Sequence, residues 1–246
     1  MNVSLWFKLL VIFWCLIEGC SMYALSNVHQ EQIVNKHSFL LHQASQEQDK
    51  TIDVVFEKAL SSYGKDYLEA EQKLRDGGEQ AITVLRKNLQ HADPVAQLIA
   101  KTLLNWIEGK APENQKALDY LEYYPNRIAR TPITEPSPTG IARYFNIEFG
   151  SKVNDILAVR LVKGTDWPHW KVSSVLFYLK EQKLSSTTSA LIRFAAETNV
   201  QKWRGYAIEA IKATKDPDLR KKVRFEQKRM KESKMEFPKE LQDLIN

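Results

Sequence analysis

The chain has 246 residues, of which 43% are hydrophobic and 26% are charged, and its formal net charge is +5. These fractions are typical of a folded protein with a sizeable core, so they exclude a largely disordered chain, a collagen and a disulfide-stapled miniprotein. Only one segment, at the N-terminus, is apolar enough to meet a lipid bilayer, which excludes a polytopic membrane protein.

The first 26 residues have the pattern of a secretory signal peptide. Lys8 provides a positive charge, and nine apolar residues then follow without interruption from Leu9 to Ile17. At a rise of about 1.5 Å per residue, this run is too short to cross a hydrocarbon core about 30 Å thick. A basic start, a short apolar run and small residues beyond it predict an exported protein, either periplasmic or secreted.

Two processing sites remain open within this segment. Ala24 and Ser26 are small residues at the spacing that a signal peptidase needs, and cleavage after Ser26 makes Asn27 the first mature residue. Alternatively, the residues around Cys20 resemble the lipobox of bacterial lipoproteins, which makes Cys20 a candidate for lipidation, although Glu18 departs from that pattern. The only other cysteine also lies in this segment, so either cleavage leaves no thiol for a disulfide in the body.

Beyond the leader, residues 27–50 are polar and are interpreted as a linker. Apolar residues recur at helical spacing from Thr51, and the range 51–124 is interpreted as a set of helical repeats. The clearest unit runs from Gly77 to Gly109, where two amphipathic helices flank an Asp93-Pro94 turn. We expect Asp93 to cap the second helix and Pro94 to take its first position, where no hydrogen bond is lost.

The second helix of this unit has two counterparts later in the chain. Gln97, Lys171 and Arg204 are each followed by a small residue at the third position and an apolar residue at the seventh. Lys171 and Arg204 are 33 residues apart, a period typical of two-helix repeats. Residues 77–104 and 189–213 resemble HEAT-like repeats. That resemblance implies an all-α fold, an irregular α-solenoid of stacked antiparallel helix pairs whose curved surface binds proteins, and it carries over no catalytic residue.

Four prolines fall between residues 125 and 140, and this range is predicted to be a Pro-rich loop that serves as a connector or as part of a binding face. A second set of helical repeats is placed at 141–235, and 236–246 is interpreted as a tail.

An aromatic cluster lies at the predicted start of a helix. Trp167, His169 and Trp170 are candidates for partner binding, because aromatic faces anchor peptides and sugars. The alternative is that Asp166 caps the helix and the indoles pack between repeats. His169 is also the residue around which an enzyme of unrecognised type would be built.

The five histidines lack the spacing of a metal site, so we expect no metal and no cofactor. Ten basic and four acidic residues lie between Lys212 and Lys234, which gives this stretch a charge of +6 and the rest of the chain −1. The last helix therefore either forms a solvated cap of the fold or binds an anionic surface. The candidate residues for anionic-surface binding are Arg220, Lys221, Lys222, Arg224, Lys228 and Arg229.

Together these patterns predict an exported, non-catalytic interaction module, a scaffold or adaptor that binds an unidentified partner protein on its helical surface. The alternatives are an envelope lipoprotein or peripheral membrane binder that uses the basic helix, and an enzyme. Nucleic acid is not an expected partner, because the predicted compartment lies beyond the inner membrane.

Overall fold

The computed structural model describes residues 51–128, 137–164 and 167–245, which belong to one compact unit, Asp49–Asn246. Every regular element in these ranges is helical, and neighbouring helices pack on one another, so the predicted all-α class is confirmed. The predicted signal peptide and polar linker lie outside the described residues, as does Asp166.

Twelve α-helical segments follow one another in the described ranges. The first, α1, covers residues 51–61. The others are α2 (Gly64–Asp76), α3 (Gly78–Asn88), α4 (Pro94–Ile107), α5 (Glu113–Ile128), α6 (Pro138–Glu148), α7 (Asn154–Lys163), α8 (His169–Gln182), α9 (Thr188–Glu197), α10 (Gln201–Thr214), α11 (Leu219–Glu232) and α12 (Lys239–Gln242), with one 3-10 turn at Ser185–Thr187.

The turn between α3 and α4 confirms the predicted cap. The Asp93 carboxylate accepts a hydrogen bond from the backbone N–H of Val95, with an oxygen to nitrogen distance of 2.8 Å, and Pro94 is the first residue of α4. The two small residues of α4, Ala96 and Ala100, are fully buried. Their size therefore lets other parts of the core pack closely against α4.

At two of the three matched positions of the repeat pattern, the side chain donates hydrogen bonds to backbone carbonyl oxygens just before its own helix. Gln97 donates to the carbonyl oxygen of His91 at 2.6 Å, in the turn before its own helix. Arg204 likewise donates to the carbonyl oxygens of Ala195 and Thr198, at 3.1 and 2.7 Å, and so satisfies acceptors left free at the end of α9. Lys171 differs, because it is buried and pairs with a carboxylate on α5.

One hydrophobic core joins the described helices. It includes fully buried side chains from Phe56 on α1 to Leu241 on α12. The ranges 51–124 and 141–235, which are interpreted from the sequence as two sets of helical repeats, both contribute to this core. The predicted tail also contributes to it, because Leu241 of the short helix α12 is fully buried.

Helices occupy both ends of the range 125–140, which the sequence predicts to be a Pro-rich loop. Helix α5 continues for three residues beyond Pro125, and α6 begins at Pro138. The start of α6 has a simple cause: the Ser137 hydroxyl accepts a hydrogen bond from the N–H of Gly140, and Pro138 occupies the first helical position, where its missing N–H costs nothing. Residues 129–136, between these helices, lie outside the described residues.

Among the described helices, none combines the length and the apolar character that crossing a lipid bilayer requires.

Candidate functional site

The three aromatic candidates of the 167–170 segment do not share one surface. Trp170 is buried in the core, as the packing alternative predicts. Trp167 is half-buried and lines a groove beside α2, α5 and α7. His169 is exposed and contacts the indole of Trp203 on α10, with ring centroids 5.6 Å apart. The three side chains therefore lie in three different environments.

His169 has a polar neighbour on its own helix. Its Nδ1 atom lies 3.3 Å from the Ser173 hydroxyl, which is one turn further along α8 and buried. Neither Ser173 nor Trp203 supplies the carboxylate that would orient a catalytic imidazole. The hypothesis of an enzyme built around His169 stays a prediction.

The six basic candidates of α11 divide into two groups. Lys222 and Arg229 are turned inward, where Lys222 binds Asp216 at 2.5 Å and Arg229 binds Glu197 at 2.6 Å. The other four, Arg220, Lys221, Arg224 and Lys228, are exposed to solvent. The sequence therefore overestimates the set that is free for an external anion, because it cannot show which cations are neutralised internally.

The inward side of α11 is part of a network of buried charges. Arg193 of α9 lies at its centre and binds both carboxylate oxygens of Asp93, at 2.8 and 2.9 Å, together with Glu226 at 3.1 and 3.2 Å. Arg229 binds Glu226 at 2.8 Å and extends the network to Glu197. These bonds connect the N-terminus of α4 to α9 and α11.

The network shifts the pKa values of Asp93 and Arg193. Burial alone would raise the pKa of Asp93, but the hydrogen bonds from Arg193 hold that pKa below its usual value. Burial opposes the charge of Arg193, yet Asp93 and Glu226 keep its pKa above the usual value. The whole arrangement is satisfied from within, so we interpret it as structural.

Lys163 of α7 is a buried cation with an unusual environment. Burial lowers its pKa to about 8, and nearby Arg193 acts in the same direction. Its ammonium donates to the carbonyl oxygens of Leu60 and Ser62, and it lies 4.6 Å from the centre of the Tyr63 ring. Lys163 therefore fixes the connection between α1 and α2.

Trp167 lines a groove that also contains a buried ion pair, and we name it the tryptophan groove. Within it, Arg160 binds the buried carboxylate of Glu71 at 2.5 Å. Burial raises the pKa of Glu71, with Arg160 partly offsetting this effect. The groove has a volume of about 340 Å³, and its lining is Leu68, Glu71, Gln72, Arg75, Gln115, Leu118, Asp119, Leu121, Glu122, Arg160 and Trp167.

The opposite side of α5 carries a more aromatic depression, which we name the tyrosine groove. Its lining is Lys116, Asp119, Tyr120, Tyr123, Tyr144, Glu148 and Phe149, and its volume is about 280 Å³. The rings of Tyr120 and Tyr144 stack with centroids 4.3 Å apart, which joins α5 to α6. Asp119 lines both grooves, so α5 forms the ridge between them.

Several apolar side chains remain exposed in the tyrosine groove or next to it. Tyr123 is 57% exposed, Tyr144 is 38% exposed, and Ile147, one turn after Tyr144 on α6, is 77% exposed. Leu68, at 41%, lies on the neighbouring tryptophan groove. These four are half of the eight large hydrophobic side chains that are exposed in the described part of the chain. Both grooves beside α5 therefore combine a concave surface with uncovered apolar side chains.

Sequence reasoning missed the tyrosine groove. A signal was present, since three tyrosines lie within five residues at 120–124, immediately before the prolines. Their partner Tyr144 lies beyond those prolines, and the helical spacing of α5 alone does not reveal which tyrosines are left exposed.

Two other predictions concern ions and the leader. No group of three or more histidine, cysteine or acidic side chains is placed to hold a metal ion in the ranges 51–128, 137–164 and 167–245. Cys20, the candidate for lipidation, lies outside these ranges.

Comparison of the chain with protein-family models, with curated proteins and with solved structures found no significant match. The resemblance to HEAT-like repeats therefore stays a prediction.

Proposed function

We propose that this protein is an exported, non-catalytic interaction module that holds a partner protein on the surface around α5. The observation that carries the proposal is the tyrosine groove, where exposed aromatic side chains line a depression between two helices. Tyrosine is enriched at protein interfaces because it presents a large apolar ring at a small cost in conformational entropy, with a hydroxyl that bonds to backbone groups.

The chemistry of the groove indicates the kind of partner. The stacked rings of Tyr120 and Tyr144 offer an apolar floor, while Lys116, Asp119 and Glu148 offer donors and acceptors at the edge. A volume of about 280 Å³ fits one or two side chains rather than a whole domain surface. The partner is therefore an extended segment of another protein that packs an apolar side chain against the stacked rings.

Site-specific photo-crosslinking in the native host tests this proposal. A benzophenone amino acid at Tyr123, which is 57% exposed, should capture one partner of discrete mass. The same probe at Val54, which is 67% exposed but far from α5 in the sequence, serves as the matched position and should not capture that partner. A crosslinking pattern that is identical at both positions contradicts the proposal.

A second variant separates binding from folding. With the probe kept at Tyr123, Tyr144→Ser should abolish the crosslink, because removal of an interface tyrosine at a binding hot spot costs about 2 kcal/mol or more, roughly a 30-fold loss of affinity. Tyr63→Ser is the matched control, since Tyr63 is exposed to nearly the same extent and lies outside the groove. Thermal unfolding shows whether both variants remain folded.

The compartment is tested on the leader itself. Intact mass and N-terminal sequencing of the protein purified from its native host should give Asn27 as the first residue of a soluble exported chain. A diacylated Cys20 would instead make the protein an envelope lipoprotein, and an intact Met1 would contradict export.

A further inference from the structure

We infer that the outward side of helix α11 is a docking surface for anionic lipid headgroups. This surface, named the basic stripe, is independent of the tyrosine groove. It consists of Arg220, Lys221, Arg224, Lys228 and Lys231, all of which are exposed.

The geometry of an α-helix places these five cations together. Successive residues are rotated by about 100° around the axis, so positions 220, 221, 224, 228 and 231 fall within a sector of about 100°. From the first to the last residue, the stripe extends about 16 Å along the helix at about 1.5 Å per residue. No acidic residue of α11 falls inside this sector, since Glu226 is turned into the core and Glu232 lies just outside it.

The charges of the stripe are largely uncompensated within the protein. Lys221, Arg224 and Lys231 form no ion pair with any residue in the described ranges. Lys228 is 78% exposed, and its ammonium lies 3.8 Å from the carboxylate of Glu232. Arg220 donates to the carbonyl oxygen of Ile245, a bond that leaves its charge unneutralised.

The cations on the two sides of α11 differ in their ion pairs. Its inward cations, Lys222 and Arg229, are each paired with carboxylates, while four of its five outward cations are not, and the fifth, Lys228, has only a long, exposed pair with Glu232. A solvated helix needs no such separation, because alternating charges keep a surface equally soluble. The outward side instead concentrates positive charge on one strip of surface.

The occupant follows from what the stripe offers and what it omits. Its five side chains present charge on flexible stems, with no apolar residue among them to anchor a protein partner. A bilayer that contains anionic lipids requires no apolar anchor, because clustered lysines and arginines are attracted to its surface potential. Charge complementarity with a broad, diffuse anionic surface therefore favours lipid headgroups.

Co-sedimentation with vesicles tests the inference on the full chain as purified from its native host. The two probes are vesicles of phosphatidylcholine alone and vesicles in which about a third of the lipid is phosphatidylglycerol. The apolar leader or a lipid on Cys20 acts on both kinds of vesicle, so the measured quantity is the ratio of the two partition coefficients. We expect a ratio well above one at low salt that falls as salt screens the charges.

The decisive variant removes three charges that have no partner in the described chain: Lys221→Gln, Arg224→Gln and Lys231→Gln. The ratio should fall by about two orders of magnitude, since each cation near an anionic surface contributes a several-fold gain in partitioning. The control changes the net charge equally at exposed lysines elsewhere, with Lys58→Gln, Lys73→Gln and Lys152→Gln, and should leave the ratio nearly unchanged.

Three results would overturn the inference. The first is a wild-type ratio near one, and the second is an equal fall in the control, which would reduce the effect to net charge. The third is wild-type protein that binds polyglutamate or duplex DNA at physiological salt while it ignores phosphatidylglycerol, which would assign the stripe to another kind of polyanion. None of these results bears on crosslinking at Tyr123.

Discussion

Replacement of Arg193 by methionine tests whether the buried charge network stabilises the fold. The side chain of Arg193 is only 8% exposed and donates four hydrogen bonds, two to Asp93 and two to Glu226. Methionine fills a similar volume without the charge, so Asp93 and the buried Glu226 both lose a cation that they pair with. Removal of one partner from a buried ion pair costs about 3–5 kcal/mol.

The remaining contacts place the expected cost at the lower end of this range. Glu226 keeps its bonds from Arg229, and Asp93 keeps the N–H of Val95. We therefore expect Arg193→Met to lower the free energy of unfolding by about 3 kcal/mol at neutral pH. For a protein of this size, the midpoint of thermal unfolding should fall by about 6–12 °C.

The pH dependence identifies the mechanism. Because the pKa of Asp93 is lowered in the folded state, its contribution to stability is present above its unfolded pKa, about 3.9, and is lost as the pH falls through the lower folded value. The difference between Arg193→Met and the wild type should therefore shrink below about pH 4.

Urea unfolding followed by circular dichroism, at pH 7 and at pH 3, provides the measurement. The control is Lys180→Met, which breaks an exposed pair with Glu209 of similar bond length, 2.6 Å, and should cost about 1 kcal/mol or less. A loss below about 1 kcal/mol for Arg193→Met, or a loss that does not change with pH, would refute the reasoning.

Three further predictions concern other parts of the fold. Burial lowers the pKa of Lys163 to about 8 in the folded state, so the unfolded state binds more protons between pH 8 and the unfolded pKa near 10.4. Urea unfolding should therefore show that the free energy of unfolding of the wild type rises as the pH increases from about 8 to 9.5. Lys163→Met should lack that rise. Arg204→Ala removes two hydrogen bonds to carbonyl oxygens at the end of α9 and should lower the free energy of unfolding by about 1–3 kcal/mol in the same assay. Lys202→Ala, at an exposed site on α10, which also carries Arg204, should lower it by less than about 0.5 kcal/mol. Leu241→Ala should cost about 2–4 kcal/mol, and a cost near zero would show that the C-terminal segment does not contribute to the core.

The elements that local rules govern were predictable from the sequence. The Asp93-Pro94 turn is one, because a capping carboxylate followed by proline carries its signal in adjacent residues. The same signature occurs at Ser137-Pro138, where it begins α6, yet the prolines around it favoured the interpretation as a loop. The difference between the two turns lies in their neighbours, since apolar residues at helical spacing follow Asp93 more clearly than they follow Ser137.

The candidate site was less predictable, because its residues meet across large sequence separations. Tyr120 and Tyr144 stack across the proline-rich segment, and no local pattern specifies that pairing. The aromatic cluster at 167–170 was recognisable as a group, but the sequence could not show that Trp167, His169 and Trp170 face different surroundings. The sequence shows the total charge of α11. It does not show which cations are neutralised, because Lys222 and Arg229 pair with Asp216 and Glu197, which lie outside that helix.

The buried charged side chains of the core have a consequence for how the protein unfolds. Arg193 reaches Asp93 across 100 residues, Arg160 reaches Glu71 across 89, and Lys163 reaches Leu60 across 103. A linear array of repeats, in which each unit touches only its neighbours, can fray from either end. Here, unfolding of the first helices also leaves charges unpaired in the later helices. Neither end of the described chain should therefore unfold independently of the other. Amide protons in α2 and α9 should then exchange with solvent at similar rates, as members of one cooperative unit.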